Sequence, residues 1–138
     1  MRKLKFAIIG CGRISYKHVE ALLNNREETE LTAVCDIVPE KADRCLKEYL
    51  LGIPGIQVPH IYTDYKDMLE KAEIDVVAIA TESGYHPQIA IDCMNAGKHI
   101  IVEKPMALST KDAEAMIDSA GRNNVKLCVC HQNRFNKP

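Results

Sequence analysis

Phe6-Ala-Ile-Ile-Gly-Cys-Gly-Arg-Ile-Ser15 is the stretch that decides the fold. Four apolar residues run without alternation into a G-x-G-x-x-S turn, and an amphipathic segment follows. A continuous apolar run reads as a strand buried on both faces. Each small residue in the turn has a physical task. Gly10 permits the tight turn and Gly12 lets backbone approach a pyrophosphate closely. The third position must be small so that helix and strand pack together, and Ser15 meets that need. A helix starting there turns free N–H groups and the positive end of its dipole toward phosphate.

The pattern repeats outward from this turn. Leu31–Cys35, Val76–Ala80, His99–Val102 and Leu127–Cys130 are short, β-rich and nearly continuous, and a weaker strand is expected at Ile61-Tyr62. Helix starts can be named between them. Pro39 and Pro87 suit a first helical position, where the missing N–H costs nothing. Asp64 with Asp67, and Ser109 with Asp112, have the spacing of a capping box with Asp in the usual place of Glu or Gln. Ala42, Cys45, Leu46 and Tyr49 share one helical face; Ile89, Ala90, Cys93 and Met94 share another, closed by Gly97. Ala113, Met116, Ile117 and Ala120 repeat likewise, and Gly52-Ile-Pro-Gly55 is a loop. Strand–helix alternation of this kind predicts an α/β fold: a Rossmann-type doubly wound parallel sheet with helices on both faces. No repeat or second composition regime interrupts it, so residues 1–138 are expected to form one dinucleotide-binding domain.

Composition narrows the partners. The 138 residues carry a net charge of −1, with no Trp. No basic field points to nucleic acid, and no polybasic segment points to a membrane. The apolar run after Met1-Arg-Lys-Leu-Lys5 is too short for a signal-peptide core, so a soluble, cytoplasmic protein is expected. The six cysteines, Cys11, Cys35, Cys45, Cys93, Cys128 and Cys130, fall in expected strands, helices and the glycine turn. They read as small buried hydrophobes rather than a disulfide framework. Cys128-Val-Cys130 lacks a second Cys or His pair at zinc-like spacing, so no metal is expected there.

Two further positions bear on chemistry. Asp36 ends the second strand, 24 residues beyond Gly12, near the offset of the acid that takes the adenosine ribose hydroxyls. Its carboxylate would repel a 2′-phosphate, which favours NAD over NADP. The competing reading is a cap for the helix near Pro39. Gly10, Cys11, Gly12, Arg13 and Ile14 are the expected phosphate-loop contacts, although the Arg13 side chain reads equally as a surface cation. At the other end, Ile100-Ile-Val-Glu-Lys-Pro-Met106 carries a carboxylate and an amine at the end of a buried strand. That is either a solvated exit or a site, since such folds place ligands at strand ends. A lysine held partly desolvated there can polarise or deprotonate a hydroxyl, and Glu103 would oppose or orient it. His18 reads as a packing or surface residue, His60 and His99 as solvent-facing, and His86 as a cap or a cofactor contact. His131 ends the last strand, within reach of the cleft.

Gly10-Cys-Gly-Arg-Ile-Ser15, Asp36, Thr81-Glu-Ser-Gly-Tyr-His86, Glu103-Lys-Pro105 and Gln132-Asn-Arg134 stand in the order found in the glucose–fructose oxidoreductase / inositol dehydrogenase (Gfo/Idh/MocA) family. The chain resembles the amino-terminal NAD-binding half of that family along its whole length. The resemblance implies cofactor contacts from Thr81, Ser83, His86, Glu103, Lys104 and Gln132. It implies a catalytic and substrate-binding role for Lys104, near the nicotinamide and the reacting carbinol, with Arg134 also toward substrate. Glu82 stands where the family usually has proline.

"CHQNRFN" and "GYHP" are similar to a narrower branch, the dehydrogenases of the 3-hydroxyl of UDP-N-acetylated sugars. The implied partners are NAD and a sugar or nucleotide-sugar substrate. A second domain would complete the pocket, supply a histidine base and carry a homo-oligomer interface. A chain without that domain is expected to bind NAD without turning over substrate. Two other classes stay open: a stand-alone NAD(H)-binding module, and a Rossmann domain for S-adenosylmethionine.

Overall fold

The computed structural model describes residues 1–131. Six parallel strands form one sheet in the order β3-β2-β1-β4-β5-β6. These are β1 (Leu4–Ile9), β2 (Thr29–Cys35), β3 (His60–Tyr62), β4 (Val76–Ile79), β5 (His99–Glu103) and β6 (Leu127–Cys130). The helices between them are α1 (Ser15–Asn24), α2 (Pro39–Tyr49), α3 (Tyr65–Lys71), α4 (His86–Asn95) and α5 (Thr110–Arg122). Strand order reverses between β1 and β4, whose Ile9 and Ile79 are register partners. That reversal opens a crevice at the carboxyl ends of the strands, the place where doubly wound sheets take ligands.

Alternation along β1 assigns the two faces. Ala7 and Ile9 join a core with Val77, Ile79, Met94 and Met116 under α3, α4 and α5. Ile8 joins the opposite core with Val19, Val34, Cys45 and Leu46 under α1 and α2. Both faces are covered, which is why the strands read as unbroken apolar runs. Full burial of each such aliphatic side chain contributes about 2 kcal/mol.

The expected helix starts are found where the backbone needs partners. Asp64 accepts from Lys66 N (2.9 Å) and Ser109 from Asp112 N (3.1 Å). Asp67 instead pairs with Lys71 (2.6 Å), one turn along α3. Two apolar expectations are corrected. Ile117 is 58 % exposed, because the buried arc of α5 runs through Met116 and Ser119. Cys128 is exposed and Cys130 half-buried, because β6 is an edge strand.

Asp75 secures the start of the sheet. Its carboxylate accepts from Lys5 N (2.8 Å) and takes both Arg2 Nη atoms (2.8 and 3.0 Å). The Arg2 hydrogen bond holds this carboxyl below its ordinary range, against the opposing effect of burial. Asp75→Asn is expected to cost about 1 kcal/mol at neutral pH. A depressed pKa gives stability that is complete above the unfolded value, about 4, and lost as pH falls through the lower folded one. Urea midpoints of both proteins should therefore differ at pH 7 and converge toward pH 2.

Candidate functional site

The glycine turn is built against the ends of its neighbours. Gly10 N donates to Cys35 O (2.8 Å) and Ala80 N to Ile9 O (2.8 Å), so the ends of β1, β2 and β4 are tied together. Gly10 has φ +95°, and a Cβ there would lie 2.6 Å from Ala80 C. Ser15 is fully buried, its Oγ donating to Gly12 O (2.7 Å). Among the described residues, no acceptor meets the backbone N–H groups of Gly12, Arg13 and Ile14. They precede α1 directly, and a Cβ on Gly12 would meet nothing within 4 Å. Free amides, a helix start and open space above Gly12 together fit an anionic bridge such as a pyrophosphate.

Asp36 does two things at once. Its Oδ2 accepts from Cys11 N (2.9 Å) and its Oδ1 from Val38 N (2.8 Å). The second bond closes a local turn, and the helix cap foreseen as the competing reading is not found: the cap is Val38, with no side-chain cap bond. A carboxylate offers about four acceptor positions, so roughly two remain for a vicinal diol. The geometry therefore fits an adenosine ribose as well as a turn.

On the far side of the crevice the structure redraws four expectations. Glu103 is 9 % exposed and turns inward, its Oε1 2.8 Å from His18 Nε2. It is therefore committed to α1 rather than to Lys104, and His18 is more than a packing residue. Lys104 is exposed rather than partly desolvated. Lys104 lies one residue beyond the end of β5, where the cover of the two cores stops. Pro105 follows through a cis peptide. His86 is 1 % exposed, with Nδ1 2.9 Å from Pro105 O and Nε2 2.9 Å from Thr81 O. Both ring nitrogens face protein carbonyls, of which a single N–H can serve only one, so His86 links the two loops and turns neither nitrogen to a cofactor.

Thr81 and Ser83 remain half-buried on the β4–α4 loop, with Ser83 opening a single 3₁₀ turn. Glu82 takes φ −61°, a backbone that proline also adopts, so its departure leaves the loop conformation intact. Arg13 is exposed beside the glycine turn. Gln132 and Arg134 lie outside the described residues. No signal in the sequence had joined His18 to Glu103, which stand 85 positions apart. Their common place is the topology, since α1 starts at the crevice that β5 also reaches.

A larger hollow of about 470 Å³ lies among Lys3, Arg26, Glu30 and Gln57, toward the opposite ends of the strands. It is remote from the glycine turn and shares none of its residues. No cluster of three or more His, Cys, Asp or Glu suited to a metal is found among the described residues. No helix there is long and apolar enough to cross a membrane.

A glycine turn at the switch point, an acid closing β2 and a lysine closing β5 define a dinucleotide-binding domain of the dehydrogenase type. The chain belongs to the oxidoreductase family with an NAD-binding Rossmann fold, whose family model matches residues 4–131. It is 31 % identical over 124 residues to the inositol 2-dehydrogenase of Salmonella typhimurium, covering 90 % of this chain and 35 % of that protein. It is 33 % identical over 134 residues to a glycosyl hydrolase family 109 protein of Shewanella woodyi, covering 94 % and 28 % respectively.

Among solved structures, the WlbA dehydrogenase of Bordetella pertussis, determined with NADH and UDP-GlcNAcA, superposes with a TM-score of 0.88 at 34 % identity. That match covers 98 % of this chain and 39 % of the other. The scyllo-inositol dehydrogenase of Lactobacillus casei, with NAD(H) and scyllo-inositol, gives 0.84 at 29 % identity, covering 99 % and 38 %. The chain thus spans about a third of the length of these relatives.

Proposed function

We propose that this chain is the NAD-binding part of a cytoplasmic enzyme that transfers a hydride between nicotinamide and a hydroxyl-bearing carbon of a sugar or cyclitol. The observation that carries this reading is the pairing of free amides at Gly12–Ile14 with the Asp36 carboxylate across one crevice, and with Lys104 at its other wall. NAD, when bound, supplies the hydride acceptor. The amides of Gly12, Arg13 and Ile14 hold the pyrophosphate, and Asp36 takes the ribose hydroxyls. Lys104, exposed at the end of β5, donates a hydrogen bond to the reacting oxygen and stabilises the charge that develops there. The contacts of His86 with Pro105 O and Thr81 O tie the β4–α4 loop to the segment that carries Lys104.

The substrate pocket, the principal base and the oligomer interface belong to a second domain of the whole protein. That fits the third of its relatives' length that this chain spans. The finer substrate reading is the 3-hydroxyl of a UDP-N-acetylated sugar, supported by the likeness to the WlbA enzyme. The likeness to a relative named as a glycosyl hydrolase favours a second reading, in which the same hydride chemistry at a sugar carbon assists cleavage of a glycoside.

The test is a fluorescence titration with NADH and NADPH, on the wild type, Asp36→Ala and Asp36→Asn. NADH is expected to bind at least about tenfold tighter than NADPH, since charge-assisted bonds to the diol are worth about 1.5–3 kcal/mol. Asp36→Ala should weaken NADH by a similar factor. Asp36→Asn keeps an acceptor for Cys11 N yet should relax the discrimination against NADPH. Equal affinity for the two cofactors in the wild type would refute the assignment of Asp36.

A further inference from the structure

Arg13 of the glycine turn and Arg44 of α2 line one surface hollow of about 370 Å³, which Glu48 and Tyr49 close on the α2 side. Among the described residues neither guanidinium enters an ion pair. The same helix shows that Arg44 had a partner within its reach. Asp43 and Lys47 meet across one helical turn at 2.6 Å, as do Asp67 and Lys71 on α3. Arg44 and Glu48 have that same spacing and do not pair. In both formed pairs the acid precedes the base, the favoured order on a helix, whereas Glu48 follows Arg44. Tyr49 is half-buried, its ring tilted against Tyr16 with centroids 6.1 Å apart. The hollow therefore joins two unpaired guanidinium groups, one carboxylate and a braced aromatic ring.

We propose that this hollow binds the phosphate monoester of a polyhydroxylated compound, a sugar phosphate in kind, at a site separate from the dinucleotide crevice. Guanidinium groups hold phosphate oxygens by charge-assisted, often paired hydrogen bonds. One of these two comes from the turn and the other from the helix, so an anion between them is met from two sides. Glu48 opposes a bare anion, but its carboxylate accepts from hydroxyl groups. Tyr49 supplies an aromatic wall for the C–H face of a sugar ring. The volume falls in the range of small-molecule sites, about 300–1,000 Å³, and leaves room for more than a phosphate.

Gly12 and Arg13 belong to both places: they line the hollow and stand just before α1 at the crevice. With a pyrophosphate on the turn, as proposed above, two anions lie beside the same residues. Their repulsion makes binding antagonistic, and linkage makes it reciprocal: the ester weakens NADH and NADH weakens the ester by one factor. A factor of about five is expected, at the low end of usual couplings and smaller at high salt. This antagonism rests on the dinucleotide reading of the turn; the site in the hollow does not.

The test is calorimetric titration of the chain with a glucose phosphate ester, inorganic phosphate and glucose at matched ionic strength, with NADH titrated alongside. The ester is expected to bind, and inorganic phosphate to bind at least about threefold more weakly, for want of the hydroxyl contacts. Arg44→Gln should weaken the ester at least about tenfold, as the loss of charge-assisted bonds implies, and leave NADH affinity as it was. Glu48→Ala should erase the preference for the ester over inorganic phosphate. No binding of the ester by the folded chain overturns the proposal. So does binding that Arg44→Gln leaves intact, since the ester then sits on the amides of the glycine turn alone. Equal affinity for inorganic phosphate overturns the ester assignment, and NADH affinity unmoved by bound ester overturns the antagonism. A chain that binds the ester through Arg44 but does not bind NADH keeps this site and removes the proposed function.

Discussion

Gly10→Ala is expected to cost about 4 kcal/mol or more, most of what a domain of this size has to spare, whereas Gly12→Ala should shift stability by no more than about 0.5 kcal/mol. The two residues stand two positions apart in the same turn and are identical in the sequence. Their surroundings separate them. A Cβ on Gly10 would lie 2.6 Å from Ala80 C, 2.7 Å from Ala80 O and 2.7 Å from Thr81 N. All three are backbone atoms at the end of β4, held by the bond from Ala80 N to Ile9 O. The position also has φ +95°, where a side chain meets its own backbone. Relief would require β1 and β4 to part at the switch point.

Gly12 meets neither constraint. Nothing lies within 4 Å of its Cβ position, and its φ is outside the left-handed region. The fold therefore makes no demand for glycine there, and the demand comes from what approaches the turn. Gly12→Ala is expected to weaken NADH at least about tenfold, because a methyl group holds the pyrophosphate off the free amides. Urea unfolding and NADH titration of both variants separate the two roles. A Gly12→Ala protein that binds normally would show that the ligand does not press on this turn.

The sequence was most legible where one physical cause acts locally. Residues of β1 and β4 announced themselves because a strand covered on both faces has no polar alternation to hide it. Pro39, Asp64, Pro87 and Ser109 marked helix starts because each answers a backbone need within a few residues. Legibility failed where the deciding partner is distant. Helical spacing grouped Ile117 with Met116, but which residues of α5 are covered depends on how the helix rolls against α4. Cys128 read as core because nothing in Leu127–Cys130 says that, among the described residues, this strand is paired on one side alone.

The site divides in the same way. The glycine turn and Asp36 were readable because a tight turn and its acid sit within one β–α–β unit. The inward turn of Glu103 was not, since its partner lies on α1. His86 is the intermediate case: its place before Pro87 signalled a helix start, but its second carbonyl partner, Pro105, is 19 residues away.

The pair of His18 and Glu103 gives the second large expectation. His18→Ala would leave a carboxylate that is 9 % exposed without its 2.8 Å partner, in a position where water cannot replace it freely. Leaving such a largely buried polar group without its partner costs about 2 kcal/mol. Glu103→Ala should cost less, since the imidazole it releases is the easier group to leave without a partner. The double variant should be more stable than the sum of the two losses predicts, with a coupling of about 1 kcal/mol or more.

Urea unfolding of the four proteins gives that coupling directly, and strictly additive losses would mean that the contact contributes nothing. The same proteins carry a second readout. Glu103 fixes the end of β5 one residue before Lys104, so breaking its anchor to α1 frees the amine as well as the strand end. NADH should bind more weakly to His18→Ala even where the chain is fully folded. His18→Gln, which keeps a donor within reach of the carboxylate, should recover part of both losses. An α1 residue that no ligand touches would then govern the one cationic group proposed to meet the reacting oxygen. The wall facing the nicotinamide would be set by the helix that begins at the phosphates.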